Sequence, residues 1–157
     1  MAQYPEIVHA VWKNDLRALE QLSSDPDVID PEGRTALQAA AIDSKIDAAT
    51  ILLKAGAAVD FQDPRGWTAL HFAAQAGSVE LSSLLIEHGA EVDKRDSNGN
   101  NPLFRAMFNA GHARPLIELL CANGANPRSK NEAGVNAIDL AETMGDADLV
   151  QYYENLD

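Results

Sequence analysis

A spacing of 33 residues constrains this chain more than any other feature. Gly33, Gly66 and Gly99 stand 33 residues apart, and Gly134 follows after 35. Gly56-Ala57, Gly89-Ala90 and Gly124-Ala125 repeat the same steps of 33 and 35. Two landmarks sharing one period predict a stack of similar units, each burying its apolar side only against its neighbours. The cleanest copy runs from Arg65 to Asp93, RGWTALHFAAQAGSVELSSLLIEHGAEVD.

The residue types within the period predict its local structure. Asp63 and Gly66 bracket a tight turn, in which the acid bonds the following backbone and the glycine takes a positive φ. Thr35, Asn101 and Asn136 are placed to cap a first helix, and Pro102 fits its first position. Ala36, Ala39, Ala40 and Ala41 give that helix small side chains, which lets neighbouring copies approach closely. A second helix follows, with stripes at Ile46, Ala49, Leu52 and Leu53 or at Leu81, Leu84 and Leu85. The units run from about 30–62, 63–95 and 96–130, flanked by a worn first unit at 4–29 and a terminal one at 131–157, all in one domain. The fourth is two residues longer than the third, with the extra length around FNAGHARP. His71 is predicted to be a hydrogen-bonding strut between turns.

The period, the Asp-x-x-Gly turn, the leucine-rich second helix and the closing Gly-Ala resemble the ankyrin repeat. So do TALQ from Thr35, TALH from Thr68, NPLF from Asn101 and NAID from Asn136. The resemblance implies an all-α solenoid of stacked helix-turn-helix units with protruding β-hairpin-like turns, about five units including degenerate end caps. It also implies non-enzymatic protein–protein binding through a concave groove and the turn tips. Carried over residue by residue, the recognition positions are Arg34, Arg65, Trp67, Asn98 and Asn100 in the turns. At the first-helix ends they are Trp12, Ile42, Asp43, Gln75, Phe108, Asn109 and Met144. Trp12, Ile42, Trp67 and Phe108 are large apolar groups at places the repeat leaves facing solvent, and such anchors dominate interface energies. Trp67 is the one the architecture does not require.

Charge narrows the partner. The net charge is −12, of which residues 1–31 carry −4 and residues 132–157 carry −7. Both ends repel nucleic acid and anionic lipid and favour one basic protein partner. No apolar run approaches the ~20 residues of a membrane span. MAQYPEIVHAVWKNDL lacks the pattern of a secretory signal, and Cys121 alone forms no internal disulfide; cytoplasmic residence and a monomeric state are expected. No nucleophile–base pair, metal cluster or phosphate loop stands out, so no cofactor and no enzymatic activity are expected. The small size resembles bacterial ankyrin-type immunity proteins, which suggests an inhibitor of a basic toxin such as a nuclease. The alternative is a scaffold or adaptor linking cellular proteins.

Overall fold

The computed structural model describes residues 4–108 and 114–156. Ten α-helices among them form five pairs: α1 (Glu6–Lys13) with α2 (Leu16–Leu22), α3 (Ala36–Ile42) with α4 (Ile46–Lys54), α5 (Ala69–Ala76) with α6 (Val79–Glu87), α7 (Pro102–Ala106) with α8 (Arg114–Ala122), and α9 (Ala137–Met144) with α10 (Ala147–Glu154). First helices pack in chain order as a row α1–α3–α5–α7, and second helices as a row α2–α4–α6–α8. The core lies between the two rows. Ala36, Ala40, Ala69, Ala73 and Ala74 bring the first helices close, while Leu52, Leu81, Leu85, Leu116 and Leu120 fill the second row. The last pair is anchored by Tyr153, fully buried, whose hydroxyl donates to Met107 Sδ (3.2 Å).

Caps fix where the first helices begin. Thr35, Thr68 and Asn136 accept from the amides of Gln38, His71 and Asp139, and the side chains of those three accept from the capping residue's own amide. Each such box satisfies two otherwise free donors. Asn101 caps through Phe104 and is followed by Pro102 at the first helical position.

The turns between units are built on one device. Asp30, Asp63, Asp96 and Asn131 each present Oδ1 to two backbone amides, those two and four residues ahead, at 2.8–3.0 Å. Among the described residues the turns carry no strand; only Ile29 and Thr35 form an isolated antiparallel bridge. Successive tips are tied instead by single bonds, Ser97 N–H to Arg65 O and Glu132 N–H to Asn98 O, both 2.9 Å. Pro64 stands at the place of Ser97 one unit earlier and has no amide hydrogen, so it packs on Gly33 instead. Close approach also explains Gly66: at φ +76°, a Cβ there would sit 2.8 Å from Ser97 N.

A second tie was written in the period but not read from it. Asp27, Asp60 and Asp93 recur at 33 residues, and each accepts from the amide of a residue one unit on, Ala58, Glu91 and Asn126.

The chain takes a left-handed residue within two positions of the end of α1, α3, α5 and α9. Gly77 and Gly145 occupy it at φ 73° and 74°, but Asn14 (φ 53°) and Ser44 (φ 52°) hold it with a side chain present. Serine has no special tolerance for this region. Ser44→Gly is therefore expected to stabilise the chain by up to about 1 kcal/mol, seen as a higher urea midpoint with an unchanged slope.

A candidate protein-binding face

Four first helices end side by side, and what they leave exposed defines the candidate site. Trp12, Ile42 and Phe108 are 40%, 39% and 55% exposed, and Met144 at the end of α9 is 49% exposed. Gln75 and Asp43 are exposed at the same level of the row. A single exposed apolar side chain is ordinary, but several of this size along one row mark a surface that meets a partner. Asn109 lies outside the described residues.

Trp12 is supported from one side. Tyr4 meets it edge-on at 4.8 Å between ring centroids, and His9 lies at 5.5 Å. The Tyr4 hydroxyl donates to Glu32, joining the first helix to the first turn tip. That hydrogen bond is the largest cause raising the Tyr4 phenol and lowering the Glu32 carboxyl from their ordinary values. Tyr4 stands one residue before Pro5, the cap of α1, as Trp67 stands one before Thr68, so the alignment that marks Trp12 marks Tyr4 as well.

The turn tips expose Glu32, Arg65 and Asn98, with Arg34 half-buried. Arg34 is paired with Asp30 and Glu32, each at 3.1 Å, and Arg65 with Asp63 at 3.2 Å. The carboxylates hold these guanidinium groups in place, so a partner meets them with part of their ordering already achieved.

Trp67 does not face solvent. It is only 7% exposed, a correction to the sequence expectation. The indole lies 4.9 Å from the Phe72 ring and stacks at 6.1 Å on His71. The Arg65 and Arg105 guanidinium groups cover it at 4.6 and 4.3 Å from the ring centroid. Arg105 comes from the next unit, so the surface that an isolated repeat would expose is covered by its neighbour. Asn100, placed among the recognition positions, is also buried. Its carbonyl and side-chain oxygen are taken by His71 and Asn131.

His71 is the strut the sequence predicted. The Thr68 amide donates to its Nδ1 (3.1 Å), which places the proton on Nε2, and Nε2 donates to the Asn100 carbonyl (3.1 Å). Gln38 does the same work one unit earlier: Oε1 accepts from the Thr35 amide (2.9 Å) and Nε2 donates to the carbonyls of Trp67 (2.8 Å) and Phe61 (2.9 Å). Burial pushes the His71 imidazole below its ordinary value, against the opposing pull of the Asn100 carbonyl and Asp96. A depressed histidine gives stability that is complete above the unfolded value near 6.5 and lost as pH falls through the folded one. His71→Gln is expected to keep both hydrogen bonds and to flatten the fall in urea midpoint between about pH 7.5 and about pH 5. An equally steep fall in the variant would assign that acid sensitivity elsewhere.

Cys121 is half-buried beside Tyr152, and burial pushes its thiol up to about 11, which makes it a packing group rather than a nucleophile. Among the described residues, no group of three or more His, Cys, Asp or Glu could hold a metal ion, and no helix is long and apolar enough to cross a membrane.

Stacked helix pairs, capped turns that carry polar tips, and a row of exposed first-helix ends together define a repeat solenoid with a continuous outward surface. A family model described as ankyrin repeats (3 copies) matches residues 7–96 and, overlapping them, 47–131. The chain belongs to the ankyrin-repeat family, whose repeats generally mediate protein–protein interaction. No curated protein matches it.

Proposed function

We propose that this chain is a non-enzymatic binding protein that holds one protein partner against its first-helix ends and turn tips. The observation that carries the reading is the exposure of Trp12, Ile42, Phe108 and Met144 at the ends of α1, α3, α7 and α9, with the exposed Gln75 at the end of α5 between them. Arg34, Asp43, Arg65, Gln75 and Asn98 provide the polar surroundings that such an apolar series needs for specificity. Trp67 and Asn100 act from beneath, by setting the position of the tips.

The partner is basic. Acidic segments at both ends of the stack raise the rate of encounter with a positively charged surface, and the same field disfavours nucleic acid and anionic membranes. A stoichiometric inhibitor that neutralises a basic protein such as a toxic nuclease, held in the cytoplasm as a monomer, is the form of this reading that uses the charge most fully. Affinity capture with the full chain, followed by association kinetics at two salt concentrations, tests it. The expected partner binds one to one and associates about tenfold or more slowly between low and physiological salt. A salt-independent association rate would remove the basic partner, and a captured complex with no activity blocked would replace the inhibitor with an adaptor.

A further inference from the structure

The second-helix row carries a feature that the proposed binding face does not use. Ile46 of α4, Val79 and Leu84 of α6, and Leu119 of α8 floor an open groove of about 380 Å³. The period puts Ile46 and Val79 at equivalent first positions of their helices, and Leu84 and Leu119 at a second equivalent place, so the floor runs across three neighbouring helices. Val79 remains 37% exposed and the other three are half-buried. On α6, Val79, Ser83 and Glu87 follow one another at i, i+4 spacing, and Glu80 and Leu84 form the adjacent stripe. An aliphatic floor therefore lies directly beside carboxylates.

Those carboxylates are not neutralised. Among the described residues, Asp47, Glu80 and Glu87 make no ion pair, and Glu87 accepts only from the Ser83 hydroxyl (3.1 Å). Lys45 lines the adjoining hollow with Asp47 and Glu80. Its ammonium instead donates to the carbonyls of Val11 (2.9 Å) and Trp12 (2.6 Å) and pairs with Asp43. Arg114 of α8 is paired with Glu118.

We propose that the groove across α4, α6 and α8 docks a basic amphipathic segment of another protein, its aliphatic side on Ile46, Val79, Leu84 and Leu119 and its Lys or Arg residues on Asp47, Glu80 and Glu87. Charge complementarity selects this occupant: an acidic segment would bring like charges into contact at the rim, and an anionic lipid surface would be repelled. The chain would then hold two proteins on separate faces.

The test uses the full chain, isotopically labelled, with three synthetic helical peptides: one of leucine and lysine with its leucines on one side, the same peptide with glutamate for lysine, and a scrambled leucine–lysine sequence. The ordered basic peptide is expected to shift the amides of α4, α6 and α8. Glu80→Lys with Glu87→Lys, both exposed positions, should weaken its binding by about tenfold or more. Trp12→Ala with Phe108→Ser should leave it unchanged, which separates this groove from the first-helix face. The proposal is overturned if the scrambled peptide binds equally, if the shifts map to the acidic ends or first-helix ends, or if the glutamate peptide binds as well. Sedimentation supplies the remaining outcome: a dimer of the unliganded chain that Leu84→Glu dissolves would assign the groove to a second copy and reject the proposal.

Discussion

Trp67→Ala is expected to lower the unfolding free energy by about 3–5 kcal/mol, the range for removing a buried large aromatic. The indole is the common packing partner of Phe72, His71, Arg65 and Arg105. Truncation would leave a void under the tip of the third unit and deprive two guanidinium groups of the ring face they cover. Arg105 would suffer most, because among the described residues its buried Nε has no hydrogen-bond partner and the indole is its apolar support. Chemical denaturation checks this, with Phe108→Ala as the control. Phe108 is the most exposed large apolar side chain of the set, and its truncation is expected to change stability by no more than about 0.5 kcal/mol. Equal effects of the two would mean that Trp67 is not structurally covered.

Asp96→Ala carries a comparable penalty, about 3–5 kcal/mol, for a different reason. The Asp96 carboxylate accepts from the amides of Asn98 and Asn100 (both 2.9 Å) and pairs with Arg105. Alanine leaves all three donors without an acceptor, one of them a mostly buried cation. Asp96→Asn separates the two contributions. Asn131 shows that an asparagine oxygen accepts the same pair of amides in the following turn, so this variant keeps the turn and loses only the charge opposite Arg105. Its loss should be smaller than that of alanine, as read from urea midpoints at neutral pH. Burial raises the Asp96 carboxyl, but the hydrogen bond from Arg105 and the two amides outweigh it and hold the group below its ordinary value. A depressed carboxylate contributes above its unfolded value and is lost as pH falls through the folded one. Its acid loss therefore begins below about pH 4, beneath the window assigned to His71.

The repeat was legible because its determinants are local. An aspartate, a glycine and a capping residue at fixed offsets specify each turn whatever the neighbours are, and the structure forms them at Asp30, Asp63 and Asp96 alike. His71 was read correctly for the same reason: its position after Thr68 fixes Nδ1 on the capping amide, and only the acceptor on the other side comes from the next unit. Trp67 was misread because its environment is not local. The residue that covers it most closely, Arg105, sits 38 positions further along the chain, in a unit with an ordinary NPLF helix and no mark that its fourth residue turns inward over an indole. Asn100 shows the same limit, since its burial is decided by His71 and Asn131 from the units on either side. The ties from Asp27, Asp60 and Asp93 were visible as a period and went unused, because an aspartate after a Gly-Ala turn looks like an ordinary solvated acid. The exposed row itself was partly legible: alignment places Ile42, Gln75 and Phe108 at 33-residue steps. Tyr4, which steadies Trp12, aligns with Trp67, since each stands one residue before the cap of its first helix, and that correspondence went unused.

These two kinds of residue separate stability from recognition, and that separation is what a binding experiment has to respect. A loss of capture by Trp67→Ala reports the fold. A loss of capture by variants at the first-helix ends, with the urea midpoint unchanged, reports the surface. The dissociation constant of the captured partner for the wild-type chain and for Ile42→Ser with Phe108→Ser is therefore the most direct measurement. Loss of two apolar anchors predicts a rise of about thirtyfold or more, at constant stability. An unchanged constant in a fully folded double variant would show that the partner sits elsewhere on the solenoid.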